Sequence, residues 1–162
     1  MAEPRQFAVS AEGGRELAEH LSALAAASGV RCALLVDRGG RLIESSGSAD
    51  GVDLLAFASL AAADFNANEQ LARLVGARGF RALVHRGDRS SVHVADVGGN
   101  AVLITLFDET AAPGMVGRLA DEVVERVALT LDTMASRSAS GQGTEQSLLA
   151  GAEEEIDRLF DW

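Results

Sequence analysis

The sequence predicts an α+β protein with a five-stranded, mostly antiparallel sheet between helices. Three observations carry this. Hydrophobic spacing switches along the chain between the 3.6-residue period of a helix and the short, dense apolar runs of buried strands. Glycine-rich turns separate the later strands by so few residues that only antiparallel hairpins can join them. The resulting order is helix, two strands, helix, three strands, helix, which packs as a sheet layer against helices.

Taken in order, residues 14–28 place Leu17, Leu21, Leu24 and Ala25 at helical spacing, and Gly29 is a suitable stop. Residues 30–37 (VRCALLVD) form a strand, Arg38-Gly39-Gly40 a turn, and residues 41–46 (RLIESS) the returning strand. Asp50 or Asp53 can cap a long middle helix running to about Val75. Its expected inner stripe is Leu54, Phe57, Ala61, Phe65, Leu71 and Val75. The other face, with Ser59, Ala62, Ala63, Asn66 and Ala67, is small and nearly uncharged, where a solvated helix normally carries charge. Strands over 80–86, 90–96 and 101–107 follow, joined by Gly87-Asp88 and Gly98-Gly99-Asn100. Pro113 suits the first turn of a final helix, expected to reach about Met134 with Met115, Leu119, Val123, Val127 and Leu131 on one face.

The charge is unevenly spread. The chain has 24 acidic residues against 14 basic ones, all arginine, for a net charge of −10. Half of that net charge falls in residues 138–162, where six acids face only Arg158. The SRSASGQGTEQ stretch is Gly/Ser-rich. The expected organisation is therefore a folded body over 1–137, a flexible linker over 138–147 and an acidic amphipathic helix over 148–162. In that helix Glu153–Glu155 precede Ile156, Leu159 and Phe160, an i, i+3, i+4 triplet suited to docking in a groove.

Much chemistry is excluded. An acidic chain is a poor match for nucleic-acid phosphates, and with no lysine there is neither a Schiff base nor a phosphate-loop lysine. The single cysteine, Cys32, sits in an apolar strand and reads as core. The glycine pairs Gly13-Gly14, Gly39-Gly40 and Gly98-Gly99 read as turns, not nucleotide loops. His85 with Asp88, and His93 with Asp96, tempt a catalytic reading, but three-residue spacing along a strand turns such neighbours to opposite faces. Surface or edge histidines are expected. No metal and no cofactor are expected, and the short apolar runs and unremarkable N-terminus point to a cytoplasmic protein.

The strings ALLVDRGGRLIESSG at 33–47, LARLVGARGF at 71–80 and VHRGDRSSVHVADVGGNAVLITLFDE at 84–109, with the Pro113-Gly114-Met115-Val116 step and the EEEIDRLF tail, together resemble the roadblock-domain family. The resemblance covers nearly the whole chain. It implies a roadblock (profilin-like) α/β/α sandwich and a homodimer whose middle helices lie side by side. The sheets would join edge to edge through Phe80, Ala82 and Val84. It further implies a Ras-like small GTPase of the MglA type as partner, bound through Ser59, Ala62, Ala63, Asn66 and Ala67. The chain would act as a GTPase activator with no catalytic residue of its own, in control of polarity or motility. The C-terminal helix, through Ile156, Leu159 and Phe160, would aid nucleotide exchange. Arg73, Arg78 and Arg86 remain open as arginines acting in trans. A scaffold that recruits a GTPase without stimulating hydrolysis, and a ligand sensor built on the same sandwich, are the competing readings.

Overall fold

The computed structural model describes residues 9–160, with side chains over 9–141. The elements are α1 (Ala11–Ala25), β1 (Val30–Asp37), β2 (Leu42–Gly47), α2 (Leu54–Leu74), β3 (Ala82–Arg86), β4 (Ser90–Val97), β5 (Ala101–Asp108) and α3 (Pro113–Phe160). The five strands form one sheet in the order β2-β1-β5-β4-β3. Every pairing is antiparallel. The expected fold class holds.

Strand alternation assigns the core to two layers. Leu34, Val36, Val94, Val102 and Ile104 point to one side, where Ala58, Ala62 and Phe65 of α2 cover them. Ala33, Leu35, Ala101 and Leu103 point to the other, beneath Leu17, Leu21 and Leu24 of α1 and Val123, Val127 and Leu131 of α3. β1 and β5, apolar on both faces, are the buried centre of the sandwich. Cys32 lies at 1% exposure among Ala49 and Leu106, and burial raises its thiol pKa. It is core, as expected.

Three expectations change. Gly13-Gly14 is not a turn, because α1 begins at Ala11 with the Ser10 hydroxyl accepting from the Gly13 N–H as its cap. Gly13 is needed there for closeness: a Cβ would stand 2.5 Å from Met134 Sδ, so its absence lets α1 meet α3. The first strand of the second half starts at Ala82, which leaves Phe80 in the connector ahead of it. Residues 138–147, expected as a flexible linker, are helical, since α3 runs 48 residues from Pro113 to Phe160. Ser136, Ser138 and Ser140 each donate a hydroxyl hydrogen bond to the carbonyl four residues back. Over residues 138–160, Gly141, Gly143 and Gly151 interrupt a run otherwise well supplied with Ala, Gln, Glu and Leu. The side chains of Ile156, Leu159 and Phe160 lie outside the described residues.

Candidate functional site

The middle helix α2 starts where Asp53 accepts hydrogen bonds from the N–H groups of Leu55 and Ala56. It is apolar on two faces. Toward the sheet its fully buried residues are mostly small, Ala58, Ala62 and Ala72 at 0–1% exposure beside Phe65, with Leu54 and Phe57 partly buried against the same layer. Leu71 and Val75, expected inside, are 54% and 75% exposed. The outward row is Ala56, Leu60, Ala63, Ala67, Leu71 and Leu74, all exposed, with Leu60 at 71% and Leu74 at 82%. Its steps of four, three, four, four and three residues make a continuous seam along one side of a helix. An outward apolar seam this long marks a surface meant to be covered.

The five residues expected to form the docking face divide. Ser59, Ala63 and Ala67 are exposed, Ala63 and Ala67 within the outward row. Ala62 is buried against the sheet, because it falls on the same line of the helix as Ala58 and Phe65. Asn66 is half-buried and committed elsewhere: its Nδ2 donates to the Arg38 carbonyl at 3.0 Å and its Oδ1 accepts from Arg38 Nη1 at 3.4 Å.

Arg38 is the centre of a polar clamp that sequence reasoning missed. Its guanidinium reaches Glu69 of α2 at 3.1 Å and Asp96 at the end of β4, while its Nε donates to the Gly99 carbonyl at 3.2 Å. It also lies 5.2 Å from the centroid of the Phe65 ring. One side chain thus ties the β1–β2 turn, the β4–β5 turn and α2 together. The partners are 28 to 61 residues away in sequence, so only the RGG turn and the Asn66/Glu69 spacing hinted at it.

Neither histidine pairs with the acid three residues further on, as strand alternation predicts. His85 Nε2 lies 2.6 Å from Asp64 Oδ2, joining β3 to α2, and not to Asp88. His93 is not a surface residue: it is 4% exposed, opposite Thr105 in the β4–β5 ladder. Its Nδ1 and the Thr105 Oγ1 are both buried without a hydrogen-bond partner among the described residues. Burial holds the His93 pKa below its ordinary value, against the opposing influence of Asp121. Asp96, three residues on, serves the Arg38 clamp instead.

β3 is an edge strand. Ala82 and Val84, expected at a dimer seam, lie on it exposed, and Phe80 stands just before it at 37% exposure. Arg73, Arg78 and Arg86 are exposed in the same region. Among the described residues no group of three or more His, Cys, Asp or Glu is placed to hold a metal ion, and no helix is long and apolar enough to cross a membrane.

Comparison with known proteins agrees with this architecture. A family model described as the Roadblock/LC7 domain matches residues 16–107. Among solved structures, the gliding protein MglB from Thermus thermophilus is 30% identical with a TM-score of 0.74, covering 82% of this chain and 99% of its own. An MglB described with a tetrameric arrangement is 29% identical over the same shares, with a TM-score of 0.75. Myxococcus xanthus MglB is 26% identical, covers 73% of this chain and 96% of its own, and has a TM-score of 0.69. A sequence search of curated proteins found no match. With the sheet order, the two-sided helix cover and the family match in agreement, the chain belongs to the Roadblock/LC7 domain family and is similar to MglB.

Proposed function

We propose that this protein regulates a Ras-like small GTPase of the MglA type, accelerating its GTP hydrolysis by docking on it as a homodimer. The observation that carries this reading is the uncovered apolar seam of α2, in a chain similar to MglB. Burying one large aliphatic side chain contributes about 1.5–3 kcal/mol, so Leu60, Leu71 and Leu74 together supply a useful part of a binding energy. Between them, Ala63 and Ala67 let a partner's backbone approach closely. The two copies join at the β3 edge through Ala82 and Val84, with Phe80 at the margin.

The chain brings geometry to the reaction and the GTPase brings the chemistry. Hydrolysis needs an oriented water and neutralised phosphate charge, and a docked surface supplies these by fixing groups the GTPase already holds. The C-terminal helix, with Ile156, Leu159 and Phe160, assists nucleotide exchange from a second contact. Control of polarity or motility is the process this serves.

The test is GTP hydrolysis by the Ras-like GTPase of the same organism with the full chain, and with Ala63→Arg. Acceleration by the former and none by the latter, with unchanged thermal stability, is the expected outcome. Saturable binding without acceleration would make the protein a recruiting scaffold instead.

A further inference from the structure

The sheet has two edges, β3 and β2, and they are finished differently. On β3, the Asp96 N–H donates to the Arg81 carbonyl and the Gly87 N–H to the Ser90 carbonyl. Antiparallel alternation between those points turns the N–H groups of Ala82, Val84 and Arg86 off the edge. The register with β4 runs unbroken over all five residues, and the exposed side chains of Ala82 and Val84 carry no acceptor that could cover an amide.

On β2, the Ser48 N–H donates to the Arg31 carbonyl, so the same alternation turns Glu44 and Ser46 toward β1 and the N–H groups of Ser45 and Gly47 outward. The Ser45 amide is already taken. The carboxylate of the preceding residue, Glu44, accepts from it at 2.9 Å. On one side of this contact a bulge leaves Ile43 as an extra residue, since Leu35 faces Glu44 and Val36 faces Leu42. On the other side Gly47 takes φ +88°, and the strand ends there.

An edge amide held by its own chain's carboxylate cannot receive a strand carbonyl, and an incoming strand must either bury that charge or expel it. The obstacle doubles when the incoming strand is β2 of a second copy. Antiparallel pairing about a two-fold axis at Ser45 sets the two Ser45 residues opposite each other. Each amide that the other copy's carbonyl needs then carries a Glu44 carboxylate, and two like charges stand at the axis.

We propose that Glu44 is a stop on the second edge: its carboxylate keeps β2 from pairing with β2 of another copy, so that association through strand edges uses β3 alone. The need follows from the layout. When β3 joins two copies, as inferred above, the joined sheet ends in β2 on both sides. An unstopped β2 would then continue it from pair to pair without closure. That consequence rests on the β3 pairing; the stop itself does not, and neither depends on the GTPase.

Sedimentation velocity of the full chain over a concentration series tests this, with amide hydrogen exchange locating the contact. Glu44→Ala is expected to form larger, concentration-dependent species than the wild type. Its association through this edge should strengthen by about tenfold or more, the scale of one charge-assisted hydrogen bond. Exchange at the Ser45 amide should slow as that variant is concentrated. Glu44→Thr, a better strand former, should do the same and serves if the alanine variant folds poorly. Adding Ser45→Pro removes only an outward N–H, which an edge strand tolerates, and should return Glu44→Ala to the wild-type size. Val84→Pro separates the two readings, because it removes an outward N–H of β3. In that background Glu44→Ala should stop at a two-chain species, whereas with β3 intact it should grow further. A wild type that sediments as a monomer would sink the β3 pairing alone, and Glu44→Ala would then be expected to dimerise. Wild-type sedimentation of both Glu44 variants at every concentration, or larger species that Ser45→Pro leaves untouched, would overturn the proposal.

Discussion

Two adjacent alanines of α2 make the most discriminating test of how this helix is seated. Ala62 is 1% exposed, packed in the layer that contains Leu34, Val94 and Ile104, whereas Ala63 points outward from the next position. Replacing each with leucine adds the same three carbons. At Ala62 those atoms must enter a close-packed layer, for which overpacking costs about 1–3 kcal/mol. At Ala63 they enter solvent on a helix, where leucine is nearly as good a helix former as alanine and the change stays within roughly 0.5 kcal/mol. For a chain of this length each kcal/mol moves Tm by about 2–4 °C. Ala62→Leu is therefore expected to lower Tm by about 2–12 °C and Ala63→Leu to leave it almost unchanged. Both are measured by circular dichroism at one protein concentration, because association contributes to apparent stability. Equal losses from the two variants, or a larger one from Ala63→Leu, would mean that α2 is rotated from the seating described here and that its outer seam is misassigned.

The remaining predictions concern the frame around that helix. Arg38→Met keeps an apolar stem over Phe65 but removes the clamp. It should cost about 1–2 kcal/mol in urea unfolding, with faster hydrogen exchange at the Gly99 amide. Gly40→Ala should cost more than about 1 kcal/mol, since φ is +83° and the new Cβ would stand 2.7 Å from Ser59 Cα. Gly76→Ala, with a similar φ of +74° and nothing within 4 Å, should cost less, which a paired thermal melt checks. His93 makes stability pH-dependent. Burial holds its folded pKa below the ordinary 6.5, so the unfolded chain takes up a proton first as pH falls. Its contribution is full above about pH 6.5, is lost as pH falls from there through the depressed folded value, and declines no further below it. Urea midpoints at pH 7.5 and 5.5 should differ less in His93→Leu than in the wild type.

The sequence announces the sandwich because its strands and turns are governed by local rules. β1 falls on residues 30–37 as expected, the positive-φ glycines Gly40, Gly98 and Gly99 stand at the hairpin turns, and Asp53 caps α2. The inner face of α2 is half legible. Leu54, Phe57, Ala61 and Phe65 follow the 3.6-residue period and pack on the sheet. Beyond them a preference for large apolar residues leads to Leu71 and Val75, where the helix actually turns Ala72 inward at 0% exposure. When both faces of a helix are apolar, periodicity alone loses its phase, and close approach to the sheet decides in favour of the small residue. The Arg38 clamp, the Asp64–His85 contact and the His93–Thr105 pair were illegible for a different reason. Each joins residues far apart in sequence, and a strand histidine looks the same whether its neighbour across the ladder is polar or not.

That loss of phase is itself the most informative feature of the candidate site. A helix that needs only to cover a sheet has no use for leucines at 60, 71 and 74, because exposed aliphatic side chains gain nothing in solvent and promote association. The same helix spends small residues on the inside, where a core would accept larger ones. Both choices make sense together if α2 is gripped from two sides: pressed to the sheet by Ala58, Ala62 and Ala72, fixed in angle by Arg38 through Asn66 and Glu69, and presented outward as a rigid seam. The clamp then has a functional consequence. Releasing Arg38 should loosen the seam before it unfolds the body, so Arg38→Met should weaken docking under conditions where the sheet amides of β1 and β5 remain fully protected.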